Sequence, residues 1–285
     1  YRTPEVRRSR RGKRFHDGMR LFALATLLAL PDGVAGAADI PGFSPDRSPA
    51  ENGRAIAEEA DRRGEGYGDT SAALSMTLFD GRGNSVTRAM RSRTLERTDD
   101  GDRTLLFFED PADVRGTAFL THGHPDRDDD QWRYLPAVKR GKRIASRNRS
   151  GAFMSSEFSY EDLGNDDIEK YRYRYLGDET IDGQTAFKLE RLPVGTSGYS
   201  RQVAWLDQQH LRILKIDYYD RAGAHLKTLS AGRHELYVDR FWRPLRMEMN
   251  NLQTGRRTVL EWADYVFGSG LDARDFEREA LRDLR

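Results

Sequence analysis

From residue 74 the chain alternates. Leu74, Met76 and Leu78 are apolar, and Ser75 and Thr77 between them are polar. Successive side chains of a strand point to opposite faces, so a period of two marks a strand with one buried and one wetted face. The pattern returns at Phe187 and Leu189 around Lys188, and at Leu245, Met247 and Met249 around Arg246 and Glu248. Leu260 and Trp262 repeat it; counting on by twos puts Val266 on their face and Tyr265 with Glu261 on the other. Further strands are expected over 85–96, 103–108, 116–121, 171–177, 185–192, 202–206, 211–219, 227–239, 243–249 and 257–267. Turns such as Asp80-Gly81-Arg82-Gly83-Asn84 and Asp182-Gly183 separate them. About eleven strands joined by short turns read as a mainly β chain, a large curved antiparallel sheet.

Such a sheet has one polar face and must cover the other. A helix is expected over 48–63, because Ser48-Pro49-Ala50-Glu51 is a capping box with proline at the first helical position. Residues 155–167 read as a short helix or ordered loop, and 271–284 as a short terminal helix. If these three complete an ordinary core, nothing is left over. If their cover is incomplete, an apolar cavity remains, and Met76, Met247 and Met249 suit it because thioethers adapt to irregular ligands.

The N-terminal part constrains location. In "MRLFALATLLALPDGVAGA", residues 19–37, a Met-Arg start precedes an apolar run and a small-residue site. That order reads as a secretory signal peptide cut after Ala37. The run is about half the length of a bilayer span, which argues against a permanent anchor. A twin-arginine signal fits less well, since Arg7-Arg8 and Arg10-Arg11 lie far from the run. Of the 47 Lys/Arg and 46 Asp/Glu, residues 38–285 keep 39 and 43, a net charge of −4. An exported acidic chain is a poor nucleic-acid binder. Without cysteine it has neither disulfides nor a lipid-attachment thiol, so burial alone must hold it together. The expected compartment is the bacterial periplasm. With no repeat, low-complexity tract or linker, 38–285 reads as one domain.

Two motifs invite chemistry. Thr121-His122-Gly123-His124-Pro125-Asp126 resembles the first ligand motif of metallo-β-lactamase-type hydrolases, but Arg127 stands where a further histidine belongs. His210, His225 and His234 have no matching context, so a polar hairpin turn is the expectation. No nucleophile elbow and no phosphate loop accompany it. Nothing here points to catalysis, a cofactor or a metal.

"FFEDPADVRGTAFL", "DDQWRYLPAVKRGKRI" and "GAFMSSEFSYEDL" then follow in an order that resembles the LolA-like outer membrane lipoprotein-sorting family of exported bacterial proteins. The resemblance runs from about residue 50 to the C-terminus and is strongest over 107–163. It implies an open half-barrel with a helical lid, holding the acyl chains of a lipoprotein or lipid as a monomeric carrier. It also carries an alternative, an accessory to an RND-type inner-membrane transporter with no cargo of its own. An arginine holds the lid in better-known carriers, but the sequence matches it to no position here. Within the block, Phe107, Trp132 and Tyr134 join the alternating residues above as candidates to meet cargo. Pro111, Gly116 and Pro136 read as backbone-shaping positions.

One stretch stays open. From Arg133 to Arg149 the chain carries seven cations and no acid: Arg133, Lys139, Arg140 and Lys142, then Arg143, Arg147 and Arg149. With a strand at 132–135, a turn at 136–141 and another strand at 143–146, these read either as a solvated hairpin or as a docking patch for anionic headgroups or an acidic partner.

Overall fold

The computed structural model describes residues 39–282; the leader expected at 1–37 lies outside them. One helix, α1 (Pro49–Gly64), precedes thirteen strands. The first six are β1 (Asp69–Phe79), β2 (Ser85–Leu95), β3 (Arg103–Asp110), β4 (Ala118–His122), β5 (Asp130–Leu135) and β6 (Arg140–Arg143). After an insert come β7 (Tyr171–Ile181), β8 (Gln184–Pro193), β9 (Tyr199–Asp207), β10 (Ile213–Asp220), β11 (His225–Tyr237), β12 (Phe241–Asn251) and β13 (Arg257–Phe267).

All thirteen form one antiparallel sheet in the order β6-β5-β4-β3-β2-β1-β13-β12-β11-β10-β9-β8-β7. Two meanders therefore meet along the β1–β13 pair, and the sheet ends at β6 and β7 without closing. This is the mainly β antiparallel sheet the alternation predicts, open as the family resemblance implies. The hairpin strands β5 and β6 raise the count above eleven. β6 begins at Arg140 rather than 143, because Lys139 takes a left-handed backbone (φ 49) that ends the turn early.

The topology dictates where a cover lies. β6 and β7 are consecutive in sequence but lie at opposite ends of the sheet, roughly 60 Å apart if flat. The insert joining them must cross a face. It crosses the inner one, where Phe153 packs on Phe108 and Phe119, with ring centroids 6.0 and 5.1 Å away. The insert is built of short 3-10 turns, Phe153–Ser155, Glu161–Leu163 and Ile168–Lys170, and not of an α-helix. The expected terminal helix is likewise two 3-10 turns, Ala273–Phe276 and Ala280–Arg282. Their sequence is too short in apolar residues at helical spacing to sustain a longer helix.

α1 forms as its cap predicts: the Ser48 hydroxyl accepts from the Glu51 amide, and Glu51 accepts from the Ser48 amide at 2.9 Å. Its Ile56 is fully buried. It lies against β7 at Gly53, where a Cβ would come within 2.8 Å of the Arg174 backbone. Only glycine permits that approach.

Candidate functional site

The inner face carries a row of apolar side chains set by register. Leu74 pairs with Met90 on one side and Trp262 on the other, and Met76 pairs with Leu260. With Leu106 from β3 these line a cavity of about 260 Å³, roofed by Phe153, Phe158 and Leu163 of the insert. A larger cleft of about 1020 Å³ opens beside the C-terminal end of α1, lined in part by Ala60, Leu189, Leu206 and Met247 and rimmed by charged side chains such as Asp61, Arg62 and Glu65. Tyr67 and Arg243 line both spaces and stand where they meet.

Of the residues proposed from sequence, the structure brings Leu74, Met76 and Trp262 to the cavity, and Leu189 and Met247 to the cleft. Leu78, Phe187 and Met249 join the inner core, Phe187 beside Phe43 and Tyr175, and Leu245 is buried. Phe107, Trp132 and Tyr134 lie elsewhere. They belong to a separate apolar cluster with Leu105, Leu120, Phe276 and Leu281, and line neither space. Leu106 faces the cavity, so its neighbours Leu105 and Phe107 point to the outer face. There the C-terminal turns cover them.

The expected parity after Trp262 also fails. A register shift between Ser71 and Ala73 opposite β13, with Asp264 left-handed at φ 53, makes a bulge. An extra residue in one strand reverses which side chains point inward. Tyr265 therefore lines the cavity, while Val266 is 49 % exposed.

The insert is fastened by polar bonds. Lys227 and Asp162, whose side chains are almost inaccessible, pair at 2.6 Å; Lys227 also donates to the Glu157 carbonyl at 2.9 Å, and Asp162 accepts from the Tyr199 hydroxyl at 2.7 Å. Asn251 donates to the Glu157 carboxylate at 2.7 Å. At the opposite margin Arg88 on β2 reaches across and donates to the Met154 carbonyl at 2.5 Å. Met154 and Ser155 hold consecutive left-handed conformations (φ 47 and 64). Neither is glycine, so this tip stores strain of order 1–2 kcal/mol per residue. Burial pushes the Arg88 guanidinium below its ordinary value, and the Tyr199 phenol, buried beside Asp162, well above its own.

His122 and His124 do not converge. The half-buried His122 imidazole, pushed below its usual value by desolvation, donates to the Phe276 carbonyl at 2.7 Å and meets Trp132 edge-on. His124 sits between Asp100 and Asp130, and Arg127 donates to its Nε2 at 2.7 Å. A guanidinium thus fills the direction a metal would need. Among the described residues no group of three His, Cys, Asp or Glu side chains is placed to hold a metal ion.

The basic stretch divides. Burial opposes charge on Asp130, but Arg143 and Arg127 outweigh that and hold its carboxyl at about 2. Arg149 pairs with Asp128 at 2.7 Å, and Arg133 turns inward to the Tyr160 hydroxyl at 3.4 Å. Lys139, Arg140, Lys142 and Arg147 are exposed, three of them on or beside the edge strand β6. Charge on an unpaired edge discourages another chain from adding to it.

Sequence reasoning missed two cations, Arg88 and Arg243. For Arg243 the signal was present: residues 241, 243, 245, 247 and 249 share one face, so an arginine stands in an otherwise apolar inward row.

A family profile described as "-like: Uncharacterized protein" matches residues 100–283. The chain is similar to a crystal structure described as an outer membrane lipoprotein-sorting protein domain from Vibrio parahaemolyticus. The two are 50% identical over 82% of this chain and 99% of that one, with a TM-score of 0.80. A DUF1329 family protein from Desulfovibrio piger is 33% identical over 82% and 100% of the two chains, with a TM-score of 0.78. A LolA superfamily protein from Nitrosomonas europaea, 21% identical over 80% and 98%, shares the fold with a TM-score of 0.64. No curated protein matches the chain.

Proposed function

Because the chain belongs to the LolA-like outer membrane lipoprotein-sorting family, we propose that it is a periplasmic carrier that holds an acyl chain of a lipid or lipoprotein beneath its insert. The observation that carries this reading is the cavity between the Leu74–Met76–Leu260–Trp262 face and the roof of Phe153, Phe158 and Leu163. Binding there is non-covalent. Each methylene moved from water into the cavity contributes about 0.8 kcal/mol, so part of one chain gives useful affinity. The insert acts as the lid, with Arg88 as the arginine that holds its tip.

Mass spectrometry of organic extracts tests this on protein purified from the periplasm. The wild type is expected to carry an acylated species, and Trp262→Glu, which puts a carboxylate in the cavity wall, is expected to lose it while melting normally. A wild type that arrives empty and binds no added acyl chain would sink the carrier reading. It would favour a second one: docking on an RND-type transporter through the exposed Lys139, Arg140, Lys142 and Arg147.

A further inference from the structure

Arg243 enters the inner face from β12 among aromatic rings. Its guanidinium carbon lies 5.3 Å from the Tyr67 ring centroid and 5.6 Å from those of Phe241 and Phe267. Among the described residues it makes no ion pair, and its hydrogen bond is to the Trp242 carbonyl at 3.1 Å. The nearest acids are already engaged. Glu96 accepts from the Gly66 and Gly68 amides at 2.5 and 2.7 Å, and Asp102 from the Tyr67 hydroxyl at 2.6 Å and the Arg97 amide at 2.9 Å.

A half-buried guanidinium without a counter-charge is costly, and ring faces offset only part of that cost. Most arginines here lie near a carboxylate: Arg191 is paired with Asp166 at 2.7 Å, and Arg212 with Asp207 at 2.8 Å. Arg243 stands instead at the junction of two spaces. On one side is the cavity of about 260 Å³, walled mainly by uncharged side chains; on the other is the cleft, whose lining carries charged side chains of both signs. A molecule with one apolar chain and one charged end fits that boundary, its chain in the first space and its head toward the second. Arginine presents a fork of N–H donors that matches carboxylate and phosphate oxygens.

We propose that Arg243 binds the oxyanionic head of a single-chain amphiphile whose tail fills the apolar cavity. This deepens the acyl-carrier reading and rests on it. It narrows the cargo to one whose chain ends in a negative charge, in contrast to the uncharged ester- and amide-linked chains of an acylated cysteine.

Isothermal titration at pH 8 with dodecanoate, dodecyl phosphate and 1-dodecanol tests it, since the three share a chain and differ in head. At least one anion is expected to bind roughly tenfold or more tightly than the alcohol, and the stronger of the two identifies carboxylate or phosphate as the head. Arg243→Met is expected to erase that preference and leave dodecanol affinity unchanged; Arg243→Lys is expected to keep part of it. Equal binding of all three by the wild type overturns the inference while the carrier reading stands, and needs no variant to show it. Arg243→Met weakening all three alike, with a lowered melting temperature, assigns Arg243 a packing role and overturns it too. If none of the three binds, the carrier reading falls first.

Discussion

The same sheet wears two covers, and they are built differently. On its outer face the C-terminal turns press Phe276 and Leu281 onto Leu105, Leu120 and Tyr134. Both residues are almost fully buried, and the single histidine bond, His122 to the Phe276 carbonyl, is auxiliary. On its inner face the insert lays Phe153, Phe158 and Leu163 over a space they do not fill, and its fastenings include Lys227–Asp162, Asn251–Glu157 and Arg88–Met154. Dispersion and apolar burial fall away gradually as surfaces part, whereas a hydrogen-bonded ion pair is made or broken at one place. The outer cover is therefore held chiefly by packing, and on the carrier reading proposed above the inner one is a latch over a container.

Breaking the latch should have the largest effect. Lys227→Met strands the buried Asp162 carboxylate, at a cost of about 3–5 kcal/mol. Urea unfolding should show that loss. Hydrogen exchange should show residues 153–163 exposed at lower denaturant than the sheet; an insert that exchanges only with the whole protein would mean the latch is not separable. Next comes Phe276→Ala, which removes a buried ring from the outer cover and should cost about 3 kcal/mol. Acyl binding per folded molecule should not change, and a parallel loss of binding would erase the distinction between the two covers.

The smallest effect concerns the cleft. Desolvation raises the Asp61 carboxyl to about 6, and Glu65, Asp167, Asp166 and Asp102 add to the rise, although the side chain still meets water. Its folded value stands above the unfolded one, so between about pH 4 and 6 the native state binds the extra proton and stability falls as pH rises. Asp61→Asn should raise the melting temperature at pH 7 and leave it unchanged below pH 4. No difference between the two pH values would remove Asp61 from this account.

The alternation made the strands legible, and with them the antiparallel sheet; its openness came from the family resemblance. It did not say which side of β3 is inner, because Leu105, Leu106, Phe107 and Phe108 are apolar on both faces. Both faces are covered there, so Phe107, Trp132 and Tyr134 looked like cavity residues and pack outside it. Nor could spacing show the bulge at Asp264 that exchanges Tyr265 and Val266, since a single left-handed aspartate leaves no periodic trace. The insert was legible as a short helix or ordered loop over 155–167, yet how it is held depends on partners such as Lys227 and Asn251, more than sixty residues away along the chain.

The seam between β1 and β13 has a consequence in time. Thr70 pairs with Phe267 in the middle of the sheet, so the two strands that unite the meanders come from opposite ends of the described chain. Pairings of such long sequence separation form slowly, because the loop between them must be closed before any contact rewards it. Each meander can form hairpins on its own, but neither can bury its central strand until the last strand arrives. A chain emerging from its N-terminus thus leaves this sheet unfinished until β13 is present, and one late closure completes the sheet and the walls of the cavity together.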